Sequence, residues 1–147
     1  MDYDLNRFIL AQEEYYDIAL KEMKKGRKET QWIWFIFPQI DGLGKSYYAQ
    51  KYSIKSLDEA INYYENTYLR NHLLEITNVL LELSTNSLFD CMSSIDVIKI
   101  NSSMTLFYLV SKNELFKKVI DKYFNGNMDI KTINIINKEG VYEKTKG

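Results

Sequence analysis

Residues 32–37 read Trp-Ile-Trp-Phe-Ile-Phe and run into Pro38, the one proline of the chain. Six consecutive large apolar side chains are unfavourable in water, so this stretch belongs at the centre of the fold. Periodicity does not separate a buried strand from a buried helical turn in so short a run. A helix is favoured, because no other part of the chain reads as a partner strand. On a helix the six cannot all face inward, so one or two of them must line a pocket or an interface.

Working outward, Leu5, Phe8, Ile9, Tyr15, Tyr16, Ala19, Leu20 and Met23 recur at helical spacing as far as Lys25, where Gly26 supplies a stop. On the other side Gly42-Leu43-Gly44 is a glycine-rich turn, and Ser46 is placed to cap a short helix through Tyr52. Ser56-Leu57-Asp58-Glu59 has the pattern of a capping box and opens a helix to about Tyr64. Leu69 to Leu83 marks a further helix, and Ser87 opens a short one through Met92. Ile95 to Ile100 reads as a brief extended or turn segment, after which Asn101-Ser102-Ser103 offers caps for a helix carrying Met104 to Val110. Leu115 to Phe124 and Ile130 to Ile136 are the last two helices, punctuated by Gly126 and Asp129. With no repeat, linker or low-complexity tract, the expectation is one compact all-α domain over residues 1–137. Residues 138–147 form a polar tail expected to fray.

The bulk properties narrow the function classes. A chain of 147 residues and 17.4 kDa, 46% hydrophobic and 27% charged, has the make-up of one folded domain with a real core. Nineteen Lys and Arg against 20 Asp and Glu leave a net charge of −1, so no bulk field draws it to nucleic acid or an anionic membrane. Any anion site must be local. The single Cys91 forbids an internal disulfide, and the single His72 argues against the usual histidine-rich zinc site, so neither metal nor other cofactor is expected. Asp2 and Asp4 stand where a secretory signal would begin with basic residues, which makes the cytoplasm the default location.

Two segments carry anion-binding chemistry. Gly42-Leu43-Gly44-Lys45-Ser46 resembles the second half of a phosphate-binding loop, whose glycines let backbone N–H groups approach phosphate oxygens. Gln39 stands where such a loop needs its first glycine, and the repeated strand–helix units are missing, so a nucleoside triphosphatase is not the reading. The weaker expectation is that Gly42, Gly44, Lys45 and Ser46 present N–H groups and a cation to an anion. In the second segment, Lys99 with Ser102, Ser103 and Thr105 places hydroxyls and an ammonium at an expected helix start. Between them Trp32, Trp34 and Phe35 offer stacking faces, Arg27 and Lys28 add cations, and Gln31 and Gln39 can read polar edges. Acid–base candidates are few. His72 reads as a surface or capping group, Cys91 as a buried inert thiol, and Asp96 as the reserve carboxylate.

These stretches carry a family likeness. Leu5-Asn6-Arg7-Phe8 with Ala11-Gln12, Gly26-Arg27-Lys28, the run Trp32 to Gln39 with Gly42-Leu43-Gly44, and Lys99 with Ser102 to Phe107 resemble a bacterial family of unknown function, DUF1810. That family is related to an all-α group of mycobacterial hypothetical proteins, and the resemblance implies an all-α single domain without an established activity. It also implies a histidine ahead of the aromatic motif, where this chain has Gln31, which hydrogen-bonds but exchanges no proton near neutral pH. A further similarity, to all-α proteins that act on ADP-ribose derivatives, suits the aromatic, basic and hydroxyl groups. The expected function is capture of a phosphate-bearing nucleotide or ADP-ribose-like molecule, for sequestration or sensing, without turnover. The alternatives are an enzyme acting on ADP-ribose or NAD derivatives, and an interaction module or homodimer that uses the aromatic surface.

Overall fold

The computed structural model describes the backbone of residues 4–146 and the side chains of residues 4–138. It is all-α. Helix α1 (Asn6–Lys25) forms because Phe8, Ala11, Tyr16, Ala19 and Met23 fall on one buried face. It ends as expected at Gly26, whose left-handed φ of 72° lets the Gly26 and Arg27 N–H groups turn back to the Met23 and Glu22 carbonyls. The aromatic run becomes a single helical turn, α2 (Ile33–Ile36), flanked by buried Trp32 and Phe37. A short helix α3 (Tyr47–Lys51) starts at Ser46, whose Oγ accepts from the Ala49 N–H at 3.2 Å. The loop carrying α3 is pinned at its base by a parallel bridge between Ile40 and Ile54.

Helices α4 (Leu57–Glu65), α5 (Thr67–Leu81), α6 (Ser94–Ser111), α7 (Glu114–Phe124) and α8 (Ile130–Lys146) complete the fold, with a 3-10 turn at Leu88–Asp90. Helix α1 packs on α2 and α5, and α5 packs on α4 and α7. Helix α6 is the central element, in contact with α4, α7, α8 and the 3-10 turn. Most of the stretch expected to fray continues α8, while side chains beyond residue 138 and all of Gly147 lie outside the described residues.

One expectation fails in an informative way. Ile95 to Ile100 is not an extended or turn segment, and Asn101-Ser102-Ser103 does not start a helix, because α6 begins seven residues earlier at Ser94. Its cap is Ser93, whose Oγ accepts from the Asp96 N–H at 3.2 Å. The β-branched run Ile95–Val97–Ile98–Ile100 has weak helix propensity, yet contacts around α6 outweigh it. The misread hydroxyls are instead tied down inside the helix: Ser102 donates within reach of the Ile98 carbonyl and Asp129, and Thr105 accepts from the Asp129 N–H at 2.9 Å.

Two buried carboxylates fix the N-terminal half. Arg7 grips Glu59 through two hydrogen bonds of 3.0 Å and also donates to the Ser53 and Lys51 carbonyls at 2.8 Å. Glu59, read from sequence as half of a capping box, thus also clamps α1 to the segment ahead of α4. Glu22 on α1 accepts from the Glu29 and Thr30 N–H groups, from the Thr30 hydroxyl and from Trp32 Nε1, at 2.6–3.0 Å. Burial opposes ionisation of Glu22, but the hydrogen bonds from Thr30, Glu29 and Trp32 outweigh it and draw its pKa from 4.5 to about 2. Because the folded value is depressed, this contribution is complete above pH 4.5 and is lost as pH falls toward about 2. Glu22→Ala is expected to cost about 3 kcal/mol by urea denaturation. Glu22→Gln is expected to flatten the acid limb of the stability–pH curve.

Candidate functional site

Five of the six residues from Trp32 to Phe37 are buried, and Trp34 is the one left half-buried. Its ring opens on a cleft of about 440 Å³ between α1, α2 and α3. Helix α1 supplies Ala11, Glu14 and Tyr15, one and two turns past the Arg7 clamp, on a single face. The aromatic run supplies Gln31, Trp34 and Phe35; α3 and its C-terminal cap supply Tyr48, Lys51 and Tyr52. Tyr15 and Tyr52 lie 5.6 and 5.1 Å from Phe35, centroid to centroid, and Tyr48 lies 5.3 Å from Trp34. A shallower depression of about 330 Å³, which shares Glu14, Lys51 and Tyr52, extends the cleft toward Arg7.

The cleft floor is held from behind by a polar chain. Buried Gln12 donates to the Phe35 carbonyl at 2.8 Å and to the Tyr63 hydroxyl at 3.1 Å, while its Oε1 lies 2.9 Å from His72 Nδ1. His72 must therefore donate from Nδ1, and its ring stacks on Tyr16 at 3.6 Å. Burial lowers the His72 pKa, with Glu75 and Asp17 opposing. His72 is thus a half-buried group that caps no helix end. It is the outer end of a brace behind Phe35.

Of the residues expected from sequence to form the site, Gln31, Trp34 and Phe35 line the cleft, and Lys99 places Nζ 4.9 Å from the Trp34 ring centre. The others are employed elsewhere. Trp32 is fully buried with its N–H on Glu22, so it offers no stacking face. Lys28 is almost completely buried, 3.0 Å from Asp96, and donates to the Thr30 carbonyl, which occupies both the expected cation and the reserve carboxylate. Arg27 is exposed beside Glu29. Gln39 accepts through its backbone carbonyl from the Ile54 N–H, as part of the bridge that pins the α3 loop.

The glycine-rich turn is structural. Gly42 adopts φ 104°, and a Cβ on Gly44 would stand 2.7 Å from the Ala49 Cβ, so this glycine permits close packing of the turn on α3. Lys45 is exposed, its carbonyl accepts from Gln50 Nε2 at 2.8 Å, and the Ser46 hydroxyl is spent on the cap. Ser102 and Thr105 serve the α6–α8 contact, and Ser103 is fully buried beside them. Sequence reasoning missed Glu14, Tyr15, Tyr48, Lys51 and Tyr52. The available signal was the Tyr48–Tyr52 spacing, which sets two rings on one face of α3 directly after the flexible turn.

Among the described residues no group of three or more His, Cys, Asp and Glu is placed to hold a metal ion, and no helix is long and apolar enough to cross a membrane. Fold and cleft together define a small all-α protein with an aromatic-walled recess at the α1–α2–α3 junction. The chain belongs to the family described as protein of unknown function (DUF1810), whose model matches residues 2–136. It is similar to a conserved hypothetical protein from Mycobacterium tuberculosis, Rv1873, known from a crystal structure. The identity is 36% and the TM-score 0.90, over 92% of this chain and 97% of that one. No curated protein matches.

The different burial of neighbouring rings has a measurable consequence. Phe35→Ala is expected to cost about 3–5 kcal/mol in chemical denaturation, and Trp34→Ala clearly less. Gly44→Ala should destabilise by about 1–3 kcal/mol, because the added methyl forces the turn away from Ala49.

Proposed function

We propose that this protein binds a small molecule with a flat heteroaromatic ring and a phosphoryl group, of the nucleotide or ADP-ribose kind, and releases it unchanged. The observation that carries this reading is the cleft walled by Tyr15, Trp34, Phe35, Tyr48 and Tyr52. Rings at these spacings make a sequence-tolerant stacking surface for a base. Glu14 and Gln31 at the same cleft can hydrogen-bond the ring's polar edge, and exposed Lys51 offers a cation at the mouth.

Binding is better supported than bond breaking. Acid–base catalysis gains most from groups that hold and release protons near the working pH. The cleft carries one carboxylate, Glu14, while His72 lies behind Phe35 and Asp96 is engaged by Lys28. An enzyme acting on ADP-ribose or NAD derivatives remains the alternative, with Glu14 as its acid or base. The interaction-module reading draws on Tyr47 and Tyr48, which are 71% and 50% exposed at the rim.

A thermal-shift screen of nucleosides, nucleotides, NAD and ADP-ribose tests the proposal. A ligand at a hundred times its dissociation constant should stabilise by roughly 2.7 kcal/mol. Tyr48→Ala, which removes a half-exposed ring, should weaken such a ligand by about 1–3 kcal/mol without unfolding the protein. Mass spectrometry of the small molecule after incubation should recover it intact. Steady conversion abolished by Glu14→Gln would establish the enzyme instead, and silence throughout the screen with a concentration-dependent mass would favour the interaction module.

A further inference from the structure

Three buried side-chain polar atoms have no hydrogen-bond partner among the described residues: Trp34 Nε1, Ser103 Oγ and Thr77 Oγ1. Native proteins rarely leave such groups unpaired, so each calls for an explanation. Two of the three are linked through Lys99. Lys99 lies on the Trp34 ring, and Ser103 stands one helical turn beyond Lys99 on the same face of α6. Asp96 is three residues before Lys99 on that face, and it is paired with Lys28 at 3.0 Å.

The chemistry missing from this group is of one kind. An indole N–H and an ammonium can only donate, and a hydroxyl has a proton to give. Among the described residues Lys99 has neither a hydrogen bond nor a carboxylate within ion-pair distance, and its Nζ lies over the Trp34 ring, 4.9 Å from the centre. Lys28 and Lys99 together face the single charge of Asp96, so the cluster holds one uncompensated positive charge. Burial lowers the Lys99 pKa, Asp96 opposes this, and Lys28 adds to it. A half-buried ammonium beside another, with two idle donors nearby, is under-supplied with acceptors.

We infer that Lys99 Nζ, Ser103 Oγ and Trp34 Nε1 form a subsite for a tetrahedral oxyanion, the phosphoryl group of the ligand. The three terminal oxygens of a phosphomonoester match three donors, and its charge, about −1.5 to −2 at neutral pH, has the sign the cluster lacks. Trp34 joins the two halves of the site, since one ring both borders the aromatic cleft and carries Lys99. The inference rests on the proposed ring-binding function only for what carries the phosphoryl group. It also reassigns the hydroxyls of α6: Ser103 binds, whereas Ser102 and Thr105 hold α8.

The test reads the two indole N–H resonances of the intact protein by nitrogen-15 NMR, with Trp34 identified by its loss in Trp34→Phe. Trp32, already bonded to Glu22, is the internal control. Titrations use inorganic phosphate, inorganic pyrophosphate, adenosine and adenosine monophosphate. The expected result is a saturable downfield shift of the Trp34 N–H with the phosphate-bearing probes and not with adenosine, while the Trp32 N–H stays in place. Lys99→Met keeps the aliphatic stem on the ring and should abolish the shift. Ser103→Ala should reduce it without loss of stability, because that hydroxyl makes no bond to lose. No saturable shift with any anion, or an undiminished shift in Lys99→Met, overturns the subsite. Adenosine that perturbs Tyr48 and Tyr52 while the anions do nothing would leave the cleft standing and the subsite refuted. Anions that shift Trp34 while adenosine perturbs no ring would support the subsite and refute the cleft.

Discussion

The carboxylate of Glu22 is the point on which the N-terminal half of this fold is organised. It lies near the end of α1 and collects donors from residues 29, 30 and 32, so the chain leaving α1 must fold back across that helix before α2 begins. The bond to Trp32 Nε1 lets a polar atom be buried inside the core, which seats the first of the two indoles of the aromatic run. With Trp32 fixed, one turn of helix sends Ile33, Phe35, Ile36 and Phe37 inward as well. Trp34 is what remains.

The recess arises from how the neighbouring elements are tethered around that leftover ring. Arg7 holds α1 to the carbonyls of Lys51 and Ser53 and to Glu59, while the Ile40–Ile54 bridge closes the loop that carries α3. These ties stand Tyr48, Lys51 and Tyr52 opposite Glu14 and Tyr15. A buried ion pair adds little net stability when weighed against apolar substitutes, but breaking it leaves an uncompensated charge, so it restricts the arrangements the loop can adopt. Gln12 completes the wall from inside by holding the Phe35 carbonyl, with His72 fixing the amide in turn.

Helix α6 shows how a central helix accommodates polar residues. Ser102 and Thr105 are satisfied across the α6–α8 contact by Asp129, and Asp96 is satisfied by Lys28 from the segment after α1. Ser103 and Lys99, one turn apart on α6, make no such hydrogen bonds, and Lys99 lies over the Trp34 ring. Polar groups that a fold buries and leaves unserved are where a ligand gains most by arriving, since it supplies bonds that neither water nor protein already makes.

Much of the fold was legible in the sequence because its signals are local. The apolar spacing of α1, the glycine after Lys25, the Ser46 and Ser56 caps, and the six-residue aromatic run all act within a few residues of themselves. The sequence also determined that this run must be central and that at least one of its rings must face outward. Only the tertiary structure decided which ring that is, that Lys28 is consumed by Asp96 while Lys99 is not, and that Ile95 to Ser103 is continuous helix. Each of those outcomes depends on partners far along the chain: Asp96 is remote from Lys28, and Tyr48 is remote from Tyr15. Local propensity chooses a backbone conformation; packing chooses which charges and hydroxyls meet, and so which are left free to bind.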